Sequence, residues 1–331
     1  MIFLFGCGGS TETRVQRFLL QGNGEAKKGN DVQAIAYYHA ALELDSCFAD
    51  AWNNLGTVYH REKDYEHALE SYNHALGCRP GYVDAHFNRA NTFYELRQFY
   101  SALTDLDQVA RTKPDTTALH FLRGLVYTQM RDYSNALSAF DLALSKDSAN
   151  PEILVNIGTV HYYRDSFDSA RLFLTRAMKL DPKEPNAPNT LALLETKLGN
   201  YDLAMQYVND ALVLRPRDPY FLNNRGYIKL MMGAMEQAVA DIDASIMEDP
   251  YNAWAYRNKG VYYLKTGDNQ NAIRLLSRAL EMSDFIENGY YYLGEAYRAN
   301  NEPEKACDQF RKALQHGEIN AEDFRKKCGR G

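Results

Sequence analysis

Histidine and cysteine are the residues of this chain that could hold a metal ion, and their spacing gives no site. His60, His67 and His74 recur at intervals of seven residues. The three positions are divided between two predicted helices that a turn separates, so their side chains do not share one face. A zinc site needs several such ligands converging on one point. The sequence therefore predicts no metal site.

The cysteines do not follow a pattern of either metal binding or pairing. They are odd in number, widely spaced and never in a C-x-x-C pair, at Cys7, Cys47, Cys78, Cys307 and Cys328. Neither a disulfide framework nor a zinc ribbon is indicated by such spacing. We expect the last four to be free thiols.

No motif of catalysis or of nucleotide binding occurs in the chain, which lacks HExxH, GxSxG and a phosphate loop. We therefore expect no enzymatic activity and no cofactor. The formal net charge is −6, from 43 acidic and 37 basic residues. Without an excess of positive charge to attract a phosphate backbone, nucleic acid is not an expected partner. No apolar run of the sequence reaches the length of a membrane-spanning helix.

The predicted helices that position the side chains of this chain recur every 34 residues. Alanines mark the period at Ala34, Ala68, Ala102, Ala136, Ala170, Ala204, Ala238, Ala272 and Ala306. If each repeat is counted from Val15, position 8 is always Gly or Ala and position 24 is always large and apolar, as in Gly124 and Phe140. Positions 4, 7, 8 and 11 share one helical face, and positions 20, 24 and 27 share another. Each repeat is therefore predicted to be two amphipathic helices in close contact.

Glycine and proline punctuate the repeats where helices should end. Glycines that suit a left-handed helix cap follow the first helix at Gly29, Gly199, Gly233 and Gly267. Prolines occupy position 32, between repeats, at Pro80, Pro114, Pro182, Pro216 and Pro250. Both residue types support a chain built only of helical hairpins.

The repeat resembles the tetratricopeptide repeat. The residues that carry the resemblance are Trp52, Leu55, Gly56, Tyr59, Ala68, Tyr72, Ala75 and Pro80. It implies an all-α fold, a right-handed α–α superhelical solenoid, with nine tandem repeats over residues 15–318. An N-terminal tail, 1–14, and a C-terminal capping segment, 319–331, with Phe324 turned inward, flank the repeats. Departures from the pattern fall at Gln21, Glu25, Pro188, Glu195 and Lys229.

The family resemblance implies a scaffold whose first helices line a concave groove that receives peptides. The stripe of positions 2, 5, 6, 9, 12 and 13 is the expected inner face. Position 6 carries five asparagines, at Asn54, Asn88, Asn156, Asn224 and Asn258. Carboxamides can pair with the backbone of an extended peptide, and the row resembles the asparagine ladder of O-linked N-acetylglucosamine transferases. The alternative is that asparagine is only a consensus residue at this position.

Repeats seven and eight add apolar side chains to the same stripe. Tyr220, Tyr227 and Trp254 predict an aromatic anchoring pocket, together with Leu230, Val261 and Leu264. The alternative is that these side chains form core between neighbouring hairpins. The basic residues of a carboxylate clamp, as in chaperone-binding relatives, are absent as a set, although Arg257 beside Asn258 could hold an isolated acidic group.

The N-terminus bears on location. Leu4-Phe5-Gly6-Cys7 resembles the end of a bacterial lipoprotein signal, in which the cysteine is lipidated. We therefore expect a lipid-anchored adaptor of the bacterial cell envelope that binds protein or peptide partners. The alternatives are a cytoplasmic scaffold that associates through its convex face or its ends and a regulatory subunit of a separate enzyme.

Overall fold

The computed structural model describes residues 10–283 and 285–329, and every regular element in this part of the chain is an α-helix. The helices are α1 (Thr11–Lys28), α2 (Asp31–Leu44), α3 (Ala49–Arg61), α4 (Tyr65–Cys78), α5 (Val83–Glu95), α6 (Phe99–Thr112), α7 (Thr117–Gln129), α8 (Tyr133–Lys146), α9 (Pro151–Tyr163), α10 (Phe167–Leu180), α11 (Asn186–Lys197), α12 (Tyr201–Leu214), α13 (Pro219–Met232), α14 (Met235–Glu248), α15 (Ala253–Thr266), α16 (Asn269–Met282), α17 (Gly289–Ala299), α18 (Pro303–Gln315) and α19 (Ala321–Cys328). The all-α prediction is confirmed.

The helices form two compact units, an N-terminal unit up to Val160 and a C-terminal unit from His161. Within the N-terminal unit, α1 pairs with α2, α3 with α4, α5 with α6 and α7 with α8. Within the C-terminal unit the hairpins run from α11–α12 to α17–α18. In both units the second helix of a hairpin also packs on the first helix of the next one, as in a tetratricopeptide solenoid.

The two helices of a hairpin touch where a small residue faces a large one. A Cβ on Gly56 would lie 2.7 Å from Cε1 of Tyr72, which is too short a distance for any residue with a side chain to fit at this position. Ala68 and Tyr72 of the second helix are buried at the same contact. The predicted alternation of small and large residues is therefore the packing rule of the core.

The turn between the two helices has one backbone conformation in every repeat. Position 15 is left-handed in all nine repeats, and each of these nine residues lies in the described part of the chain. The residue is glycine in four of them, with φ from 78° to 86° at Gly29, Gly199, Gly233 and Gly267. In the other five, φ lies between 56° and 62°, at Lys63, Arg97, Arg131, Asp165 and Asn301. The glycines named from the sequence mark a geometry that the other five repeats also adopt.

Charged residues at apolar positions of the repeat are paired. Glu195 is fully buried and accepts a hydrogen bond from Nδ2 of Asn200 at 2.8 Å, and Arg171 pairs with it at 2.8 Å. Lys229 donates to the buried carboxylate of Asp241, with Nζ 2.7 Å from Oδ2, and Arg225 pairs with the same carboxylate. At these two departures from the family pattern, the charged group thus lies beside an opposite charge.

The prediction of free thiols is wrong for the four cysteines inside the fold. Cys47 pairs with Cys78, and Cys307 with Cys328, with Cα atoms 5.4 Å and 5.5 Å apart. Cys47 lies in the turn before α3, and Cys78 is the last residue of α4, so the hairpin brings the two together. Spacing along the sequence conceals this because 31 residues separate the partners.

The last helix, α19, packs on α18 and is held there by the Cys307–Cys328 disulfide. Its N-terminus is capped by Asn320, which accepts a hydrogen bond from the amide of Asp323 at 2.9 Å. Phe324 is half-buried. The helix therefore covers the final hairpin, in the place that the sequence assigns to a capping segment.

Candidate functional site

The asparagines at position 6 connect neighbouring first helices. In the N-terminal unit, Nδ2 of Asn54 donates to Oδ1 of Asn23 at 2.8 Å, and Oδ1 of Asn54 accepts from Asn53 at 3.1 Å. Nδ2 of Asn88 donates to Oδ1 of Asn53 at 3.0 Å. The carboxamides thus bridge one repeat to the one before it, through partners at positions 5 and 9.

The C-terminal unit repeats this bridge. Nδ2 of Asn224 donates to Oδ1 of Asn189 at 2.9 Å, and Nδ2 of Asn258 donates to Oδ1 of Asn223 at 2.8 Å. Asn156, on α9, instead donates to a carbonyl of its own helix, that of Glu152, at 2.9 Å. The asparagines that complete the bridges, at positions 5 and 9, were missed from the sequence because only position 6 shows a row.

The bridges leave part of each carboxamide unused. A side-chain amide offers two N–H donors and two acceptor lone pairs, and Asn54 uses one of each. Asn54, Asn88, Asn156 and Asn224 are half-buried, so their remaining groups can reach a ligand, whereas Asn258 is only 2% exposed. Four of the five predicted binding asparagines are accessible, and the fifth is a buried structural residue.

A buried arginine lies on the same face of the C-terminal unit. Arg257 is 4% exposed, and its guanidinium stands 4.9 Å from the ring centroid of Tyr227, 5.3 Å from Trp254 and 5.7 Å from Tyr292. We call these four residues the Arg257 cluster. The aromatic rings stabilise the cation, and Nη1 donates to Oδ1 of Asn258 at 2.7 Å. Among the described residues the guanidinium has no ion pair, and its Nε has no hydrogen-bond partner.

The cluster contains three of the residues singled out from the sequence, Tyr227, Trp254 and Arg257, and Arg257 bonds directly to a fourth, Asn258. Tyr220 does not join them. It lies at the start of α13, half exposed, with Asp218 accepting from its backbone amide at 3.0 Å. The predicted aromatic pocket is therefore filled by Arg257.

An ion pair joins distant repeats of the C-terminal unit next to this cluster. Glu287, in the segment before α17, lies 3.3 Å from Nζ of Lys197 on α11. The same Nζ stands 5.2 Å from the ring of Tyr162 and 2.8 Å from Asp165. Burial raises the pKa of the Tyr162 hydroxyl, which stays protonated. Lys197 therefore connects the α9–α10 turn to the segment before α17.

A cleft of about 350 Å³ opens between α15 and α17. We call it the α15–α17 cleft. Its apolar wall is formed by Val261, Leu264, Tyr291, Tyr292 and Ala299. Its charged rim is formed by Lys265, Glu295 and Arg298. Every lining residue stands at position 5, 6, 9, 12 or 13 of its repeat, so the cleft lies on the predicted inner face.

A larger hollow, of about 650 Å³, lies at the turn between α11 and α12 and is lined by residues such as Gly199, Tyr201 and Met232. Five of its six lining residues belong to the single stretch 199–203, and Asp202 is its single charged residue. It offers little to fix the orientation of a ligand. The α15–α17 cleft is the better candidate.

The histidines spaced by seven point to different partners. Nδ1 of His60 lies 2.9 Å from Oγ1 of Thr92, and burial lowers the pKa of His60. His67 bonds to Asp64 at 2.7 Å, and His74 stacks on Trp52. Over residues 10–283 and 285–329, no group of three histidine, cysteine or acidic residues could hold a metal ion, and no helix is long and apolar enough to cross a bilayer. Cys7 lies outside the described residues.

Comparison with known proteins gives the family. Models of the tetratricopeptide repeat match residues 49–82, 87–151, 123–185, 155–219, 189–253 and 255–321. No curated protein sequence matches the chain.

Two solved structures resemble the chain in fold. One is that of the APC/C hetero-tetramer Cut9–Hcn1, with 16% identity, a TM-score of 0.61, and coverage of 98% of this chain and 78% of that one. The other is PilF of Pseudomonas aeruginosa, with 21% identity, a TM-score of 0.55, and coverage of 64% and 96%. Repeat models match most of the length, and the hairpins supply a scaffold for protein–protein interaction. The chain belongs to the tetratricopeptide repeat family.

Proposed function

We propose that this protein is an adaptor that binds extended segments of partner proteins on its first-helix face and helps to assemble a complex of the bacterial cell envelope. The observation that carries the binding role is the set of four half-buried asparagines on first helices, three in the N-terminal unit and Asn224 in the C-terminal unit, with hydrogen-bonding groups that remain unused. An extended peptide needs such partners for its own amides and carbonyls. The α15–α17 cleft supplies room for a side chain on the first-helix face of the C-terminal unit.

The two disulfides support a location outside the reducing cytosol. Disulfides persist in the periplasm, at cell surfaces and in secreted proteins, and are rare where thioredoxin and glutathione keep thiols reduced. Both pairs here join cysteines whose Cα atoms stand at ordinary disulfide spacing. An envelope protein anchored through a lipid on Cys7 fits this chemistry.

The binding role is tested by changing Asn54, Asn88, Asn156 and Asn224 together to Ala. Partners purified with the variant from native cells are compared with those of the wild type by quantitative mass spectrometry. The control changes four asparagines of second helices to Ala, namely Asn73, Asn135, Asn209 and Asn271. We expect partners to be lost only from the first variant, at equal helicity by circular dichroism.

Retention of every partner by that variant would contradict binding on the first-helix face. The location is tested separately, by membrane fractionation of wild type and Cys7→Ala, and by maleimide labelling of acid-quenched cells. We expect Cys7→Ala to be released from the membrane fraction. We also expect the four cysteines of the two disulfides to be protected from maleimide. A protein with four reactive thiols in the cell would instead be cytoplasmic.

A second candidate is a scaffold that associates through its second helices. Val213 and Met247 stand at position 29 of consecutive repeats and are 79% and 82% exposed, and Tyr251 is 86% exposed nearby in sequence. Exposed apolar side chains of this kind favour protein contacts. Partners that survive in the four-asparagine variant and are lost when Val213 and Met247 are changed to Ser would support this reading.

A further inference from the structure

We infer that the α15–α17 cleft selects partner segments in which an apolar side chain stands beside a carboxylate. The inference rests on the proposed function, since it assigns a sequence preference to the same binding face. It concerns repeats eight and nine alone, where the wall is apolar and the rim carries an excess of positive charge.

The wall determines the apolar half of the preference. Val261, Leu264 and Tyr292 form one apolar surface between the two helices, and the cleft volume of about 350 Å³ lies within the range of roughly 300–1,000 Å³ typical of ligand pockets. A leucine, isoleucine or phenylalanine of a partner would remove this surface from water. Tyr292 also packs against Arg257, so the wall is braced from behind.

The rim determines the acidic half. Lys265 is exposed and has no ion pair among the described residues. Arg298 and Lys327 both pair with Glu295, so two cations share one carboxylate and Lys265 adds a third positive charge. A chain with a net charge of −6 thus has a local positive excess at this cleft. An incoming carboxylate would pair with Lys265 and with a guanidinium that is already more than half exposed, that of Arg298.

The Arg257 cluster does not take this role, although it contains an unpaired cation. Its guanidinium is enclosed by three rings and by Asn258. The residues lining the cleft do not include Arg257. Arg257 therefore supports the wall of the cleft through Tyr292, and Lys265 and Arg298 face the ligand.

The experiment selects short peptides from a random phage-displayed library against the purified full-length protein. An enriched peptide is then synthesised with a fluorescent label, in its own sequence and with its carboxylates replaced by amides. Binding of both versions is measured by fluorescence anisotropy. The variants are Lys265→Glu for the rim and Leu264→Asn for the wall, and Lys179→Glu, on the second helix α10, is the matched control.

We expect the enriched peptides to place Asp or Glu beside Leu, Ile or Phe. Lys265→Glu should weaken binding of the acidic peptide by about fivefold or more, which corresponds to roughly 1 kcal/mol for an exposed charge pair. It should leave the amide version unaffected, because that version has no charge to repel. Lys179→Glu should bind like the wild type, and Leu264→Asn should weaken both peptides.

Three outcomes would overturn the inference in distinguishable ways. Peptides without acidic residues that bind Lys265→Glu normally, yet fail to bind the four-asparagine variant, would remove the cleft preference and leave the proposed function intact. Enrichment of no peptide at all would remove both. Self-association of the wild type that Lys265→Glu abolishes, seen by analytical ultracentrifugation, would assign the cleft to a second copy of the chain.

Discussion

The first-helix faces of the two units carry different kinds of side chain at the same repeat positions. In the N-terminal unit, positions 5, 6 and 9 carry Asn53, Asn54 and Thr57, whose small polar groups bond to neighbouring repeats. Asn53 is buried, whereas Asn54 and Thr57 stay accessible. In the C-terminal unit, the same positions carry Arg257 and Tyr292, which fill the space and exclude water from one another. The repeat position therefore sets where a side chain points, and the volume of that side chain determines whether the face stays accessible to a ligand.

Because of this difference, the two faces should accept different numbers of peptide sequences. Half-used carboxamides can pair with any peptide backbone, so the N-terminal face suits many sequences. A shaped apolar wall with an unpaired lysine, as at the α15–α17 cleft, accepts few. Variants that act on one unit at a time test whether the two faces have these separate properties.

The largest expected effect is the loss of a disulfide. Replacing Cys307 and Cys328 by Ser should lower the free energy of unfolding of the C-terminal unit by about 3 kcal/mol. The disulfide restricts the unfolded chain, and without it α19 is free in the unfolded state and only weakly held in the folded state. Replacing Cys47 and Cys78 should cost the N-terminal unit a similar amount. Hydrogen exchange followed by mass spectrometry measures the change unit by unit.

The wild type under reducing agent is the control for both double variants, since it should reproduce their combined loss of protection. A uniform loss across both units from one double variant would contradict local action of the disulfides.

Arg257→Ala comes next in size. The change removes the cation from three rings, leaves a void and deprives Oδ1 of Asn258 of its donor. We expect a loss of about 2–3 kcal/mol, measured by urea unfolding. Arg274→Ala, at an exposed arginine that bonds only to Asn271, is the matched control and should cost under about 0.5 kcal/mol. Equal stability of the two variants would mean that the cluster does not brace the C-terminal face.

Asparagines of the two units should differ in their stability cost. Asn258→Ala leaves buried groups of Arg257 and Asn223 unpaired and should cost about 2 kcal/mol. Asn88→Ala, on the accessible N-terminal face, exposes its partner Asn53 to water and should cost under about 1 kcal/mol. Thermal unfolding of both variants gives the comparison, and a larger cost at Asn88 would contradict the assignment of Asn258 as the structural residue.

Acid should have the smallest effect. The hydrogen bonds from Arg79 to Asp50, at 3.0 Å and 2.9 Å, hold the pKa of that carboxyl below its usual range. A lowered pKa means that the pair stabilises the N-terminal unit above the unfolded pKa of about 3.9, and that this contribution is lost as the pH falls through the folded pKa. Asp50→Asn should therefore differ from wild type in Tm near neutral pH and converge with it in acid. A constant difference would indicate that the charge of Asp50 does not matter.

The period of the sequence was sufficient to predict the hairpins, because each repeat contributes contacts only to itself and its neighbours. Gly56 against Tyr72 is such a local contact, and the pattern reveals it. For the same reason, the repeat pattern places Tyr227, Trp254 and Arg257 on one face of the C-terminal unit.

Contacts that depend on the shape of the C-terminal unit could not be predicted. Glu287 and Lys197 are 90 residues apart, and nothing in the local pattern of either residue indicates that they meet. It could not be predicted, for a related reason, that Arg257 fills the aromatic pocket. The volumes of side chains from three repeats together determine whether the pocket is filled. The disulfides were missed because cysteines were compared by spacing and not by their place in the hairpin.

The turn at position 15 has a consequence for the order in which the chain opens. Four consecutive repeats build this left-handed turn with Lys63, Arg97, Arg131 and Asp165, and the next three build it with glycine. A side chain in that conformation costs roughly 1 kcal/mol that glycine avoids. In a linear array, where each repeat depends on its nearest neighbours, transient unfolding should then begin among repeats two to five and spread outward.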